Sequence, residues 1–363
     1  MFNDVYRKQK VFVTGNTGFK GSWLVLWLSN LGAHVGGYAL EPPTQPNHYD
    51  LLALSSDSVR GDIRDAAKVR GAVQSFKPDI VFHLAAQSLV RRSYRDPAGT
   101  FTTNVMGTVN VLEACRQTEG VKAIVNVSSD KCYENQEWIW GYREADPVGG
   151  HDPYSASKGC AEITTACYRR SFFPVQEYQK THQCLVASVR AGNVIGGGDW
   201  GEDRLVPDIM RAAHRNVKVL IRNPQATRPW QHVLEPLAGY LLLGQQLLEG
   251  KQAFAGAWNF GPDDQGHKRV LAVVQDLQNF WSAIDFRIAL DEKKDHEAHL
   301  LKLDCSKARA QLGWRPVWSG PAMFEKTVHW YREFYESKRV CSREQLAEYI
   351  HDAQQKSLSW VVP

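Results

Sequence analysis

The sequence predicts an α/β protein: a doubly wound parallel sheet, with a smaller mixed α/β domain toward the C-terminus. Three observations predict it. Short apolar runs alternate with helical stretches from Lys10 to Arg190. The first run, Lys10 to Thr14 (KVFVT), stops at a glycine turn, Gly15-Asn16-Thr17-Gly18-Phe19-Lys20-Gly21, which opens an apolar helix. The polar groups of later segments follow the apolar runs directly, where the carboxyl ends of parallel strands would lie. Such alternation brings right-handed crossovers and helices onto both faces of one sheet.

Taken in order, Ser22 to Leu31 continues the first helix. The glycines follow GxxGxxG. A turn of this kind sets backbone N–H groups and a helix N-terminus against a pyrophosphate, or serves only as a tight turn. Its place after the first strand makes Gly15 to Gly21 the candidate cofactor cradle of a Rossmann-type domain. Ala33 to Ala39 reads as the second strand; Glu41, the nearest acid, precedes Pro42-Pro43 and leaves NAD versus NADP open. Ser58 to Asp62 is a third strand, with Asp62 and Ile63 at its end. Asp65 to Phe76 is helix and Ile80 to Leu84 a fourth strand. Leu84 leads into Ala85-Ala86-Gln87, where the small alanines at the strand end admit a flat cofactor or simply pack tightly. Pro97 to Thr118 reads as one long helix. Val121 to Val127 is a fifth strand, ending in Ser128-Ser129-Asp130-Lys131.

The next helix, Pro153 to Arg170, has Asp152 as N-cap and Pro153 at its first position. Tyr154 and Lys158, four apart, share one face. A phenol has a free pKa of about 10. A nearby ammonium favours the phenolate, so the pair can act as a general base. The plainer reading is an interfacial Tyr and a solvated Lys.

At 363 residues, 43% of them hydrophobic and 23% charged, the chain suits one large or two modest globular domains. A net charge of +4, dispersed and without a basic run, gives no nucleic-acid footprint. Seven cysteines, an odd number with no CxxC pair, point to reduced thiols and no metal site. Cys160, Cys167 and Cys184 are expected to pack as small apolar residues. No apolar run reaches the length of a membrane span, and MFNDVYRKQK lacks a signal-peptide core, so a cytoplasmic protein is expected.

TGNTGFKG, HLAAQ, VSSD and YSASK together resemble the extended short-chain dehydrogenase/reductase family. The resemblance implies an NAD enzyme in which Ser129 hydrogen-bonds the substrate oxygen, Tyr154 takes its proton, and Lys158 lowers the Tyr pKa and binds the nicotinamide ribose. Asp130 after the serine is similar to nucleotide-sugar 4,6-dehydratases. There it implies an acid that protonates the departing C6 oxygen, with a pKa raised by burial. Lys131 stands where most relatives place Glu, and is a candidate C5 base. The same pair also reads as a loop ion pair. Lys131, with KCYENQEWIWGYREADPVGGHDPYSASKGCAE and HLAAQSLVRRSYRDP, resembles the branch acting on CDP-D-glucose, whose products feed dideoxysugars of bacterial surface polysaccharides. A 4-epimerase shares the Ser–Tyr–Lys set but needs no acid at C6. A nicotinamide-binding regulator is the third reading.

The family implies Gln87, Ser129, Asn193, Arg204 and Arg228 as substrate contacts, with nicotinamide contacts near Arg190 to Asn193. Either arginine also reads as a surface residue, and Trp230 as core. Cys184 to Arg190 is a strand, after which alternation fades. Leu205 to Arg215, Val233 to Leu248, Val270 to Ile284, Pro321 to Tyr335 and Glu344 to Gln355 read as helices, the last followed by a loose tail. Ala257 to Phe260 and Asp285 to Leu290 read as strands. Residues 1–192 form the expected NAD domain, rejoined in part by 225–265, and 193–363 mainly bind the sugar nucleotide. Helices 97–118 and 153–170 imply a homodimer or homotetramer.

Overall fold

The computed structural model describes residues 1–54, 56–263, 266–289 and 300–361. The N-terminal part alternates as expected: β1 (Lys10–Thr14), α1 (Phe19–Asn30), β2 (His34–Ala39), α2 (His48–Leu52), β3 (Asp57–Arg60), α3 (Ala66–Phe76) and β4 (Ile80–His83). Then come α4 (Val90–Arg95), α5 (Pro97–Phe101), α6 (Gly107–Arg116), β5 (Ala123–Val127), α7 (Pro153–Ser171) and β6 (Leu185–Ala191). The remainder holds β7 (Asn193–Ile195), α8 (Leu205–His214), β8 (Val219–Ile221), β9 (Thr227–His232), α9 (Leu234–Leu248), β10 (Ala257–Phe260), β11 (His267–Arg269) and α10 (Val270–Gln278). It closes with β12 (Phe286–Ile288), α11 (Pro321–Ser337) and α12 (Ser342–Gln355).

Seven strands form one parallel sheet in the order β10-β6-β5-β4-β1-β2-β3. The order reverses at β1, whose neighbours are β2 and β4, and a crevice opens there above the strand ends. Strand alternation sends Val11 and Val13 into one core and Phe12 into the other. Two small sheets, β11-β9-β7 and β12-β8, lie in the C-terminal half.

Three expectations are corrected. The helix over 97–118 is interrupted by a π turn at Thr102–Met106. Thr100, Thr102 and Thr108 return their hydroxyls to carbonyls four residues back, and Asn104 turns its amide toward Gln87. A wide turn of this kind re-aims one side chain within a helix. The helix from Val270 stops at Gln278, because Phe280 and Trp281 fold back onto Leu277 through their N–H groups. The tail is not loose: Trp360 is buried, stacks on Phe2 at 5.2 Å, and accepts from the Phe2 N–H at 2.6 Å. Burying a side chain of that size contributes about 2–3 kcal/mol. Thr227–His232, which carries Arg228 and Trp230, is the central strand of its small sheet. Leu290 and residues 264 and 265 lie outside the described residues.

All seven cysteines are free thiols. Cys184 is buried as expected, but Cys160 is half-buried and Cys167 exposed, because α7 turns that face outward. No helix among the described residues is long and apolar enough to cross a membrane.

Candidate active site

The glycine turn is built by close approach. A Cβ at Gly21 would lie 2.1 Å from the Gly15 carbonyl oxygen, so the first turn of α1 sits directly on the loop. Gly15 has φ +74°, and a Cβ there would meet the Ala85 nitrogen at 2.8 Å. The loop after β1 and the end of β4 therefore touch at the point where strand order reverses. Thr14 joins them: its Oγ1 accepts from the Ala85 N–H at 3.2 Å and lies 2.6 Å from His83 Nδ1. Gly18 caps α1 without a side chain, leaving the helix N-terminus open to an anion. Asn16 Oδ1 is buried with no hydrogen-bond partner. An uncapped helix end, a glycine cradle and an unpaired acceptor fit a dinucleotide's pyrophosphate and ribose.

The catalytic set converges above β5 and the first turn of α7. Asp152 caps that helix, accepting from the Ser155 N–H at 3.0 Å. Ser93 of α4 accepts from the Tyr154 N–H at 3.1 Å. Ser129, Asp130, Tyr154 and Lys158 are all buried. Ser129 Oγ donates to Asp130 Oδ1 at 3.0 Å and accepts from the Lys131 N–H at 3.2 Å. Burial pushes the Asp130 carboxyl up, opposed by the Lys131 charge and the Ser129 bond. Its Oδ2 is buried without a partner.

Burial pushes the Tyr154 phenol up to about 12; hydrogen bonding to Ser129 opposes this, and the Asp130 charge reinforces it. Lys158 Nζ donates to the Val127 carbonyl at 3.0 Å, and burial lowers it to about 8. Lys158 is thus tied to the end of β5, one helical turn from Tyr154. The Arg204 charge also opposes the rise of the Tyr154 phenol.

The other predicted residues divide into two groups. Lys20 points inward, 3.4 Å from the Tyr240 hydroxyl; burial and then the Lys158 charge lower it to about 8. Phe19 is half-buried beside it. Arg228 is buried on β9, and its charge is felt by Asp130. Arg204 reaches Asp199 at 2.9 Å and Ser88 at 2.8 Å. Asn193 opens β7, opposite Trp230, which is core. By contrast, Thr17 donates to the Leu40 carbonyl, and Asp62 is held by Arg64. Ile63 is buried against Gly107. Leu84, Ala85 and Ala86 are half-buried at the crevice. Gln87 uses its amide on Leu89 and Thr100, so it braces its own loop. Arg190 is buried and paired with Glu162, so it is not presented at the strand end. Glu41 lies exposed and pairs with Arg60.

Sequence reasoning missed Ser93, Tyr240 and Asp203. Asp203 gathers Arg91, Arg95 and Arg222 at 3.3–3.7 Å. Each of these contacts spans a long sequence separation, so no local pattern announces it.

The parallel sheet, the glycine cradle and the Ser129–Tyr154–Lys158 set are those of the short-chain dehydrogenase/reductase class. The family described as GDP-mannose 4,6 dehydratase matches residues 12–327, and the chain belongs to it. The chain is 50% identical over 349 residues to the CDP-glucose 4,6-dehydratase of Salmonella typhimurium, covering 95% of this chain and 97% of that one. It is 29% identical to the UDP-glucose 4-epimerase of Mycolicibacterium smegmatis, over 89% of this chain and 98% of that one. Among solved structures, an epimerase from Methanothermobacter thermautotrophicus aligns with TM-score 0.79 at 23% identity, over 94% of this chain and 97% of that one. The UDP-glucose 4-epimerase of Thermus thermophilus aligns at 0.75 and 24%, over 89% and 99%.

Proposed function

We propose that the protein is an NAD-dependent hydro-lyase that converts CDP-D-glucose to CDP-4-dehydro-6-deoxy-D-glucose and water. The observation that carries this reading is Asp130: a buried carboxyl beside Ser129 with one oxygen unpaired. An enzyme that only oxidises and re-reduces C4 has no use for such an acid. The 50% identity to the Salmonella enzyme supports the choice of CDP-D-glucose.

The Gly15–Gly21 cradle and the Leu84–Ala86 strand end would hold NAD, which when bound would supply the hydride chemistry needed at C4 and C6. Tyr154, its phenolate favoured by the Lys158 ammonium one turn away and by the Arg204 charge, takes the C4 hydroxyl proton while Ser129 hydrogen-bonds that oxygen. The C4 ketone then acidifies the C5 proton, which Lys131 removes. Asp130, kept protonated by burial, donates from its free oxygen to the leaving C6 hydroxyl. Arg204 and Arg228 hold the diphosphate, for which a planar fork of donors is suited.

In this reading residues 1–192, rejoined by part of 225–265, hold NAD, and the remainder binds the sugar nucleotide. The strand β10 within the large sheet supports that return. The protein acts in the cytoplasm as a dimer or tetramer. Phe101 and Met106 on one helix stretch and Ile163 and Phe172 on and just beyond α7 are exposed apolar residues that an interface would cover.

Incubation with CDP-, dTDP-, UDP- and GDP-glucose, with product masses recorded, tests the proposal. Loss of one water from CDP-glucose is expected. An unchanged mass with altered stereochemistry at C4 would make it an epimerase, and turnover of another sugar nucleotide alone would overturn the substrate.

A further inference from the structure

Below the reacting groups lies a buried ion pair. Glu162 sits one turn past Lys158 on α7, and Arg190 lies on β6; each is only 4% exposed. Arg190 Nη2 donates to Glu162 Oε2 at 2.8 Å, and Ser188 Oγ donates to the same oxygen at 2.8 Å. Ser128 Oγ donates to Glu162 Oε1. On its other side Arg190 Nη1 donates to the Tyr133 hydroxyl at 2.7 Å, and its guanidinium stands 4.8 Å over that ring. The Tyr133 hydroxyl in turn donates to Asn259 Oδ1 at 2.8 Å.

Ser128 and Tyr133 are the two ends of the short segment that carries Ser129, Asp130 and Lys131. One ion pair therefore grips both ends. Burying two charges costs several kcal/mol per ion, and apolar residues would fill the same space without that penalty. Apolar residues would not hold the segment's ends by directional bonds, and would put no charge near Lys158.

The groups whose charges reach Lys158 come from four elements. His83 of β4 is driven to about 3 by burial and stays neutral. Cys132, after β5, is pushed up by burial and also stays neutral. Lys20 of α1 is a like charge. Glu162 stays ionised: burial pushes it up, but Arg190 and the serine hydroxyls outweigh burial and hold it below the usual range. It is the charge that favours the Lys158 ammonium against burial.

We propose that Glu162 is a positioning residue: with Arg190 it clamps both ends of the Ser128–Tyr133 segment, and it keeps Lys158 an ammonium one turn from Tyr154. The roles of Ser129, Asp130 and Lys158 rest on the proposed reaction. Glu162→Gln keeps the side chain's size and removes its charge. With full-length protein, NAD and CDP-glucose, kcat should fall about 30-fold with KM within about twofold, and the alkaline limb of the kcat profile should move down by about one pH unit. Glu162→Asp should restore part of both. An unmoved limb in a folded Glu162→Gln protein overturns the electrostatic part.

If Glu162→Gln does not fold, Ser128→Ala and Tyr133→Phe each free one end while leaving the charges. Each should lower kcat without moving the limb; unchanged kcat in both overturns the clamp. If the wild type turns over a different sugar nucleotide, the same profiles are measured on that substrate. Failure of the substrate assignment is then distinct from failure of the clamp.

Discussion

The Ser129 hydroxyl donates to Asp130 Oδ1 at 3.0 Å, which orients the carboxyl and leaves its other oxygen buried and free. An acid held this way can give a proton to a leaving hydroxyl. Asp130→Asn keeps the shape and removes the proton. It should lower dehydration by about 10²–10⁴-fold, the range for a lost general acid, with substrate affinity little changed. Rapid-quench analysis should find a C4-oxidised intermediate and reduced cofactor accumulating. An unchanged rate would remove Asp130 from the mechanism.

Lys158 should set the alkaline limit of activity. Burial lowers it to about 8, opposed by the Glu162 charge. The ammonium is present below that value and lost above it, so kcat should decline as pH rises through about 8. A pH–rate profile over the neutral to alkaline range checks this. A rate flat across that range would exclude the ammonium from the rate-determining step.

Gly21 tolerates no side chain, because a Cβ would stand 2.1 Å from the Gly15 oxygen. That neighbour is backbone, so relief requires opening the loop itself. Gly21→Ala should weaken cofactor binding by about 100-fold, an effect on the order of 3 kcal/mol. Titration calorimetry reads it directly. Retained affinity would show that the loop does not form the cradle.

Stability should fall in mild acid. His48, His83 and His232 are each driven to about 3 by burial, against an ordinary histidine near 6.5. A depressed folded value means the unfolded chain binds the extra protons. Their contribution is therefore full above about 6.5 and lost as pH falls toward about 3, at up to about 1.4 kcal/mol per pH unit per histidine. Urea midpoints at pH 7 and pH 5 should differ accordingly. His48→Asn, compared with wild type, should reduce the proton uptake on unfolding by about one; an equal pH slope in both proteins would show that His48 is not buried neutral.

Arg204→Gln should raise KM for the sugar nucleotide by about tenfold, in line with the loss of a charge-assisted bond. Its guanidinium spans Asp199 and Ser88, so thermal melts must show that the loop survives. Unchanged KM in a folded variant would free Arg204 from substrate binding.

Much was legible in the chain because it is local. KVFVT followed by GNTGFKG is a strand, a turn and a helix N-terminus whatever surrounds it. DPYSASK carries its own cap, its own first-turn proline and a Tyr–Lys pair at helical spacing. Parallel alternation then dictates that the polar residues after each strand share one edge. The π turn at Thr102–Met106 escaped because the pattern of apolar residues runs on through it, and only the pull of Gln87 on Asn104 marks it.

The sequence by itself determined the strand–helix order, the glycine cradle and the cluster of Ser129, Asp130, Tyr154 and Lys158, since each rests on spacing within one turn or one strand end. Tertiary structure alone decided where the charges point. Lys158 faces a carbonyl, Arg190 faces Glu162, and Gln87 braces its own loop. A side chain's direction and pKa depend on burial and on partners tens to hundreds of residues away, and no local pattern encodes either.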